Sequence, residues 1–417
     1  MAKKALIIAS GLKDVRGHNL SYTRAVETEL QRRGIAVTVF ANKNLNEALA
    51  KETGYRSIFS HGTYDFPPGN GPVRDLVYTY LQSRIYADEL QRALDVYGAD
   101  FDLTFCHTVS DFELIGWNRY LSHRRLNGHL MILQRLTPRF NSSPRWKLTF
   151  HPYWRMKPHY LNSIRSKMRG RFLLLTDSEP LTEDYSHIYR DRIVTLPIPI
   201  NSQISPPIAA DADNSVSQRY KLERNGSICF GYMGDSRGGK GFSLLPGMIR
   251  SVLAEANSKV KFVIQCVTPE YSETEPANSF IELQTLAAES KGKLTLIPEK
   301  LSDHDYAELL QFLDVALIPY SSKAFVEGTS NIFAEALVAG KPVIVSSGTW
   351  MAREAEKSGS GLKFQTEEVA DFASKVLEMT RHCAEYQSKA RTFRTEWQRF
   401  HNPQTLVDIL LKEAQLN

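Results

Sequence analysis

The sequence predicts an α/β protein with two doubly wound parallel sheets, on three observations. Its 417 residues suit two domains of ordinary size. Over 4–40 and again over 314–346, an apolar stretch, a glycine-containing loop, a helical stretch and a second apolar stretch follow one another. That alternation produces parallel strands joined by crossover helices. Between the halves, residues 201–219 (NSQISPPIAADADNSVSQR) have the Ser, Pro, Asp and Asn content of a linker. Domains over 1–200 and 220–399 are therefore expected.

Composition narrows the class. Hydrophobic residues at 42% and charged residues at 23% are those of a folded globular chain rather than a disordered one. Cys106, Cys229, Cys266 and Cys383 lie far apart with no C-x-x-C pair, which argues against disulfides and zinc and for a reducing, cytoplasmic setting. The opening MAKKALIIASGLKD places lysines before an apolar run too short for a leader, so it reads as a first strand. Nothing approaches the length of apolar sequence that spans a bilayer.

The net charge of +5 hides an asymmetry. Between Glu113 and Asp177 there is no acid, while that interval holds thirteen Lys and Arg, so the remainder is net acidic. Trp146, Tyr153, Trp154 and Tyr160 interleave with these cations. Cations for headgroups and rings for the boundary suit an anionic membrane surface, contacted through residues 119–171, or a phosphate-bearing acceptor. Nucleic acid could use the same mixture but is not expected as a partner.

In the first half, 4–9 (KALIIA) and 35–40 (IAVTVF) read as strands flanking a helix with Tyr22, Ala25, Val26 and Leu30 on one face. The loop between puts Gly17 at the helix entry, where backbone can approach a phosphate. SHGTYDFPPGNGP reads as a surface loop, followed by a helical run through Tyr86–Tyr97. FDLTFCH is a strand ending on His107, and a residue at the C-terminal end of a parallel strand faces the ligand crevice. GHLMILQRL, RFLLLTDSE and RIVTLPIPI complete this half.

The second half opens on SICFGYMGDSRGGKGF, a strand running into a glycine-rich loop. Gly241 and Phe242 after Lys240 break the G-x-x-x-x-G-K-[ST] pattern, which disfavours a P-loop NTPase. VKFVIQCV and KLTLIPEK follow as strands. In DVALIPYSSKAFVEGTSNIFAEALVAGKPVIVS a helix is expected from Ser330 or Asn331 to Gly340, its N-terminus favouring an anion. Glu327 and Glu335 flank that turn with seven residues between them. A carboxylate can grip two neighbouring hydroxyls of a ribose or hexose, so phosphate plus carboxylates points to a nucleotide sugar. Glu367–Met379, Cys383–Arg399 and Pro403–Ala414 read as helices.

E-x7-E followed by E-A-L-x-A-G-K-P-V-I resembles the donor motif of retaining GT-B glycosyltransferases, the group 1 or family 4-like enzymes. The resemblance covers nearly the whole chain in element order and is motif-specific at 231–241 and 327–345. It implies two Rossmann-like domains facing across a cleft. The first, acceptor domain is joined by a last helix, about 400–417, that packs back on it; the second holds the donor. Glu335 would hold ribose hydroxyls, Glu327 the transferred sugar, and Arg237, Lys240 and the Gly328, Thr329, Ser330 and Asn331 backbone the diphosphate. Glu299 and Lys300 would lie near the base. The family's glycine pair facing the donor phosphates is here Gly17-His18, a departure at the second position. His107 matches a cleft histidine. A further histidine beside the transferred sugar is replaced by Gln134 and Arg135, and an arginine there could meet an anionic acceptor or the donor phosphate.

Catalytic roles are thus expected for Glu327, Arg237, Lys240 and His107, with no metal and no cofactor beyond the nucleoside-diphosphate sugar as co-substrate. The expected reaction is retaining transfer to a glycan acceptor, lipid-linked in one form, in cell-envelope or exopolysaccharide assembly at the cytosolic membrane face. A soluble glycogen- or sucrose-type transferase, a non-catalytic nucleotide-sugar binder and an epimerase are the rivals.

Overall fold

The computed structural model describes residues 3–14, 18–63, 65, 71–136, 152–200, 215–255, 259–267 and 274–416. Two compact units emerge: Met1–Pro199 with His401–Asn417, and Ile200–Phe400.

Unit 1 holds β1 (Lys4–Ala9), β2 (Ala36–Asn42), β3 (Arg56–Phe59), β4 (Leu103–His107), β5 (His129–Gln134), β6 (Phe172–Thr176) and β7 (Ile193–Thr195), all parallel in the order β3-β2-β1-β4-β5-β6-β7. Its strands are near-continuous apolar runs because helices cover both faces. Alternation along β1 sends Leu6 and Ile8 into one core with Phe40, Trp117, Leu130 and Leu161. Ala5 and Ile7 enter the other, with Val39, Met131, Leu406, Val407, Leu410 and Leu411. The helix Pro403–Glu413, capped by Asn402 whose side chain accepts from the Thr405 N–H at 2.7 Å, thus completes unit 1.

Unit 2 holds β8 (Ile228–Tyr232), β9 (Val260–Gln265), β10 (Leu294–Ile297), β11 (Val315–Ile318), β12 (Val343–Ser346) and β13 (Gly361–Phe364), parallel in the order β10-β9-β8-β11-β12-β13. Asp314 ties its centre together: one carboxylate oxygen accepts the Cys229 N–H at 2.9 Å and the other pairs with Arg224 at 3.1 Å.

Three sequence expectations need correction. The helix expected through Tyr86–Tyr97 begins at Pro72, which supplies the fixed φ suited to a first turn. Residues 215–219 are not linker: Val216–Arg219 forms a helical turn whose Val216 is buried beside Leu309 and Leu313, and Glu308 accepts the Val216 and Ser217 N–H groups. The remaining linker positions, 201–214, lie outside the described residues. Finally, β3 and β13, four residues each, were not anticipated.

Candidate active site

In unit 2 the strand order reverses between β8 and β11, so the loops leaving their C-terminal ends diverge and open a crevice. Both loops carry the motifs singled out above. Gly241, at φ +69°, lies so close under β11 that a Cβ would stand 1.8 Å from the Pro319 carbonyl oxygen. Gly234, at φ +108°, approaches the Ile332 side chain, with a Cβ falling 2.8 Å from Cδ1. Both conformations favour glycine, and at Gly241 the fixed Pro319 backbone leaves space for nothing else. The Ser321 N–H donates to the Gly239 carbonyl at 3.0 Å, stitching the loops into one crest.

The cations on that crest share a partner. Asp235 lies 2.7 Å from Arg237 Nε through one oxygen and 2.6 Å from Lys240 Nζ through the other. Lys240 also sits 5.6 Å over the Tyr320 ring. The triad's formal charge is therefore one positive unit, less than the two expected for the arginine and lysine alone. Asp235 thus holds both side chains on the loop.

Glu327, 8% exposed, follows the turn Ser322–Phe325. Arg353 donates to the neighbouring Val326 carbonyl and holds this loop in place. Gly328 and Thr329 lead to Ser330, whose hydroxyl accepts the Phe333 N–H at 3.2 Å and caps the helix Asn331–Val338. The positive end of that helix dipole thus lies at the crest.

Glu335 stands one turn further along, and the Tyr306 hydroxyl donates to its Oε2 at 2.5 Å. Burial pushes the Glu335 carboxyl up to about 7; the Tyr306 hydrogen bond and the charge of Lys240 oppose the rise, while Asp303 adds to it. The charge of Lys240, on the first loop, is thus felt at Glu335 on the helix after the second.

Glu299 and Lys300 lie in the loop after β10. Glu299 pairs with Arg219 at 3.1 Å, and its carbonyl accepts from Gln265 Nε2 at 3.4 Å. Gln265 Oε1 in turn accepts the Gly234 N–H at 2.8 Å, linking this loop to the crest. Lys300 is exposed. His304, Asp305 and Glu308 come close enough to hold a metal, but Asp305 pairs with Arg219 and Glu308 accepts two backbone N–H groups.

In unit 1 the order reverses between β1 and β4. His107, 3% exposed, ends β4 and stacks on Tyr22 at 5.0 Å, with its Nε2 2.8 Å from the Thr23 hydroxyl. Burial, then the nearby Arg135 charge, lowers its pKa to about 3, so the imidazole is neutral at working pH. Gln134 accepts the Tyr185 hydroxyl at 2.9 Å. Arg135 Nε lies 2.7 Å from Asp177 and is largely covered, so its charge is partly met inside the unit. Gly17 lies outside the described residues, and His18 opens the helix His18–Arg32.

Sequence reasoning missed Asp235, Tyr306, Gln265 and Arg353. D-x-R-x-x-K could have marked the first; the others act from distant elements without a local signature. It also missed the structural role of Lys341, which donates to the Gln311 and Leu313 carbonyls at 2.8 and 2.6 Å. Of the basic interval, Arg124, Arg135, Lys157 and Arg165 pair with acids outside it, while residues 137–151, Trp146 among them, lie outside the described residues.

The family model described as glycosyl transferases group 1 matches residues 227–382. No curated protein matches the chain. Among solved structures, a glycosyltransferase from Rickettsia africae ESF-5 is similar at 13% identity and a TM-score of 0.70, with 100% of each chain covered. An α,α-trehalose-phosphate synthase (UDP-forming) from Burkholderia xenovorans, solved in complex with glucose-6-phosphate, has 10% identity and a TM-score of 0.72 over 99% of this chain and 100% of that one. The Anabaena protein Alr3699/HepE, in complex with UDP, has 14% identity and a TM-score of 0.66 over 98% of each. At such identities the likeness establishes the fold: two Rossmann-like units of the GT-B class.

Proposed function

We infer that this GT-B protein, whose residues 227–382 match the model of the group 1 glycosyl transferases, moves a sugar from a nucleoside diphosphate to an acceptor hydroxyl with retention of anomeric configuration. One observation carries the reading: the loop bearing Arg237 and Lys240 is joined at one switch point to the loop that bears Glu327 and leads into the helix of Asn331 and Glu335. That set matches a donor's parts, a diphosphate between two hydroxylated rings.

In the proposed reaction the bond from the anomeric carbon to the diphosphate oxygen breaks. A bond from that carbon to the acceptor oxygen forms on the same face, and the acceptor proton passes to the departing phosphate. Negative charge grows on the diphosphate as it leaves, where Arg237, Lys240 and the backbone of Gly328, Thr329, Ser330 and Asn331 stabilise it most. Glu335 takes the ribose hydroxyls and Glu327 those of the transferred sugar. Glu299 and Lys300 are assigned to the surroundings of the base, Gly17 and His18 to the donor phosphates, and His107, as a neutral ring, to a hydrogen bond. The UDP bound by the Anabaena protein makes uracil the first base to try.

The acceptor is proposed to be a glycan, lipid-linked in one form, in envelope or exopolysaccharide assembly at the cytosolic membrane face. The glucose-6-phosphate bound by the Burkholderia synthase supports a second reading, a soluble transferase acting on a phosphorylated sugar. The test incubates UDP-, GDP- and ADP-sugars with glycan and sugar-phosphate acceptors and reads the product anomer by NMR. Transfer with retention is expected, reduced about a hundredfold by Lys240→Ala or Glu327→Ala. Failure to consume any donor, or unaltered rates in both variants, would overturn it.

A further inference from the structure

The first half of the helix Pro72–Tyr97 is inside out. Val73, Val77, Tyr80, Leu81 and Ile85 follow one another at helical spacing and are 71%, 51%, 51%, 48% and 38% exposed. Asp75, Thr79, Gln82 and Ser83, on the opposite side of the same turns, are buried. Only from Tyr86 onward does the helix turn apolar residues inward, with Leu90, Ala93 and Leu94 in the core. A domain-surface helix ordinarily buries its apolar stripe, and contiguous exposed apolar surface marks a place where something else binds.

The charges on this face indicate what. Arg74 and Arg84 are exposed within the stretch, and the first exposed acid of the helix, Asp88, comes after Ile85. Apolar side chains and a ring flanked by guanidinium groups fit the boundary between acyl chains and anionic headgroups. With Asp75 buried and Asp88 beyond Ile85, the exposed charges between Val73 and Ile85 are the two arginines, which favour an anionic partner.

We propose that the Val73–Ile85 face of this helix is a docking surface for an anionic lipid bilayer. It gives the membrane part of the proposed function a physical location, and rests on that reading only for its purpose, since lipid binding is measured without donor or acceptor. The surface is distinct from the basic interval 119–171, where four cations are paired with acids.

Co-sedimentation of the full chain with vesicles tests it, using phosphatidylcholine alone and an equal mixture of phosphatidylcholine and phosphatidylglycerol. The wild type is expected to pellet with the mixture and not with phosphatidylcholine. Val77→Asp with Leu81→Asp, and separately Arg74→Glu with Arg84→Glu, are each expected to weaken partition about tenfold or more. These positions are on the surface, so thermal midpoint and nucleotide binding stay unchanged; should the first pair unfold the protein, the arginine pair decides. Absence of pelleting, equal pelleting of the folded variants, or a solution dimer that Val77→Asp with Leu81→Asp dissociates would each overturn the proposal.

Discussion

Glu335 is a carboxylate held at a cost to the stability of the folded chain. Its pKa of about 7 lies above the ordinary 4.5, so the native state keeps a proton that the unfolded chain has released. Its contribution to stability therefore falls as pH rises between those values. Above pH 7 the cost is of order 2 kcal/mol once its partial exposure is allowed for. Glu335→Gln should accordingly stabilise the ligand-free protein at pH 8 and change nothing at pH 4, as read by urea unfolding at both values. Sugar hydroxyls bind the charged form, so donor affinity should rise with pH through 7 in the wild type. In Glu335→Gln it should be flat and roughly tenfold weaker, since hydrogen bonds to charged groups contribute about 1.5–3 kcal/mol. A pH-independent wild-type affinity would remove Glu335 from the donor site. At this scale Glu327 with Glu335, and Arg237 with Lys240, could be singled out because each pair is close in sequence. Tyr306 was not: it reaches Glu335 across 29 positions, through the packing of two helices.

At the scale of elements, the crest depends on two loops being able to touch. Gly241 is the tightest point, with both a left-handed φ and a carbonyl where a side chain would go. Gly241→Ala is therefore expected to displace Pro319 or the Lys240 loop, costing about 1–3 kcal/mol in thermal or urea unfolding and weakening nucleotide binding more than Gly239→Ala does. Gly239 has only an ordinary contact with Ala324, at 3.9 Å. Equal effects of the two would mean that the loop is not held as described. The strand–loop–helix–strand order around the crest could be read from apolar runs and caps, and the break expected between Met379 and Cys383 appears as a kink at His382. β3 and β13 could not, since four residues carry too little pattern to separate strand from loop. The start of the helix Pro72–Tyr97 escaped for a different reason. Its first turns bury polar and expose apolar residues, the reverse of the signal that sequence reading relies on.

For the molecule as a whole, chain order and spatial order part at the C-terminus. The helix Pro403–Glu413 returns to unit 1 and fills its second core with Leu406, Val407, Leu410 and Leu411, while Arg33 and Arg192 pair with Asp408 and Glu413 at its edges. Leu410 is fully buried, so Leu410→Ala should cost about 2–5 kcal/mol in urea unfolding. Substituting Asp408 at the surface should cost under about 1 kcal/mol. Comparable small effects for both would show that the helix is not seated in the core. Length and apolar runs were enough to anticipate two parallel α/β sheets. What each loop residue touches was not available from the chain, because Asp235, Gln265 and Arg353 act through contacts that exist only after the sheet has formed.

The central claim is that the crest between β8 and β11 holds the diphosphate of a nucleotide. Calorimetric titration of UDP, GDP and ADP into the wild type and into Lys240→Ala tests it most directly. One nucleotide is expected to bind in preference to the others and to lose about tenfold or more in affinity when the lysine is removed, the effect of deleting a charge-assisted contact. No binding of any of the three, or the same affinity in Lys240→Ala, would contradict the claim.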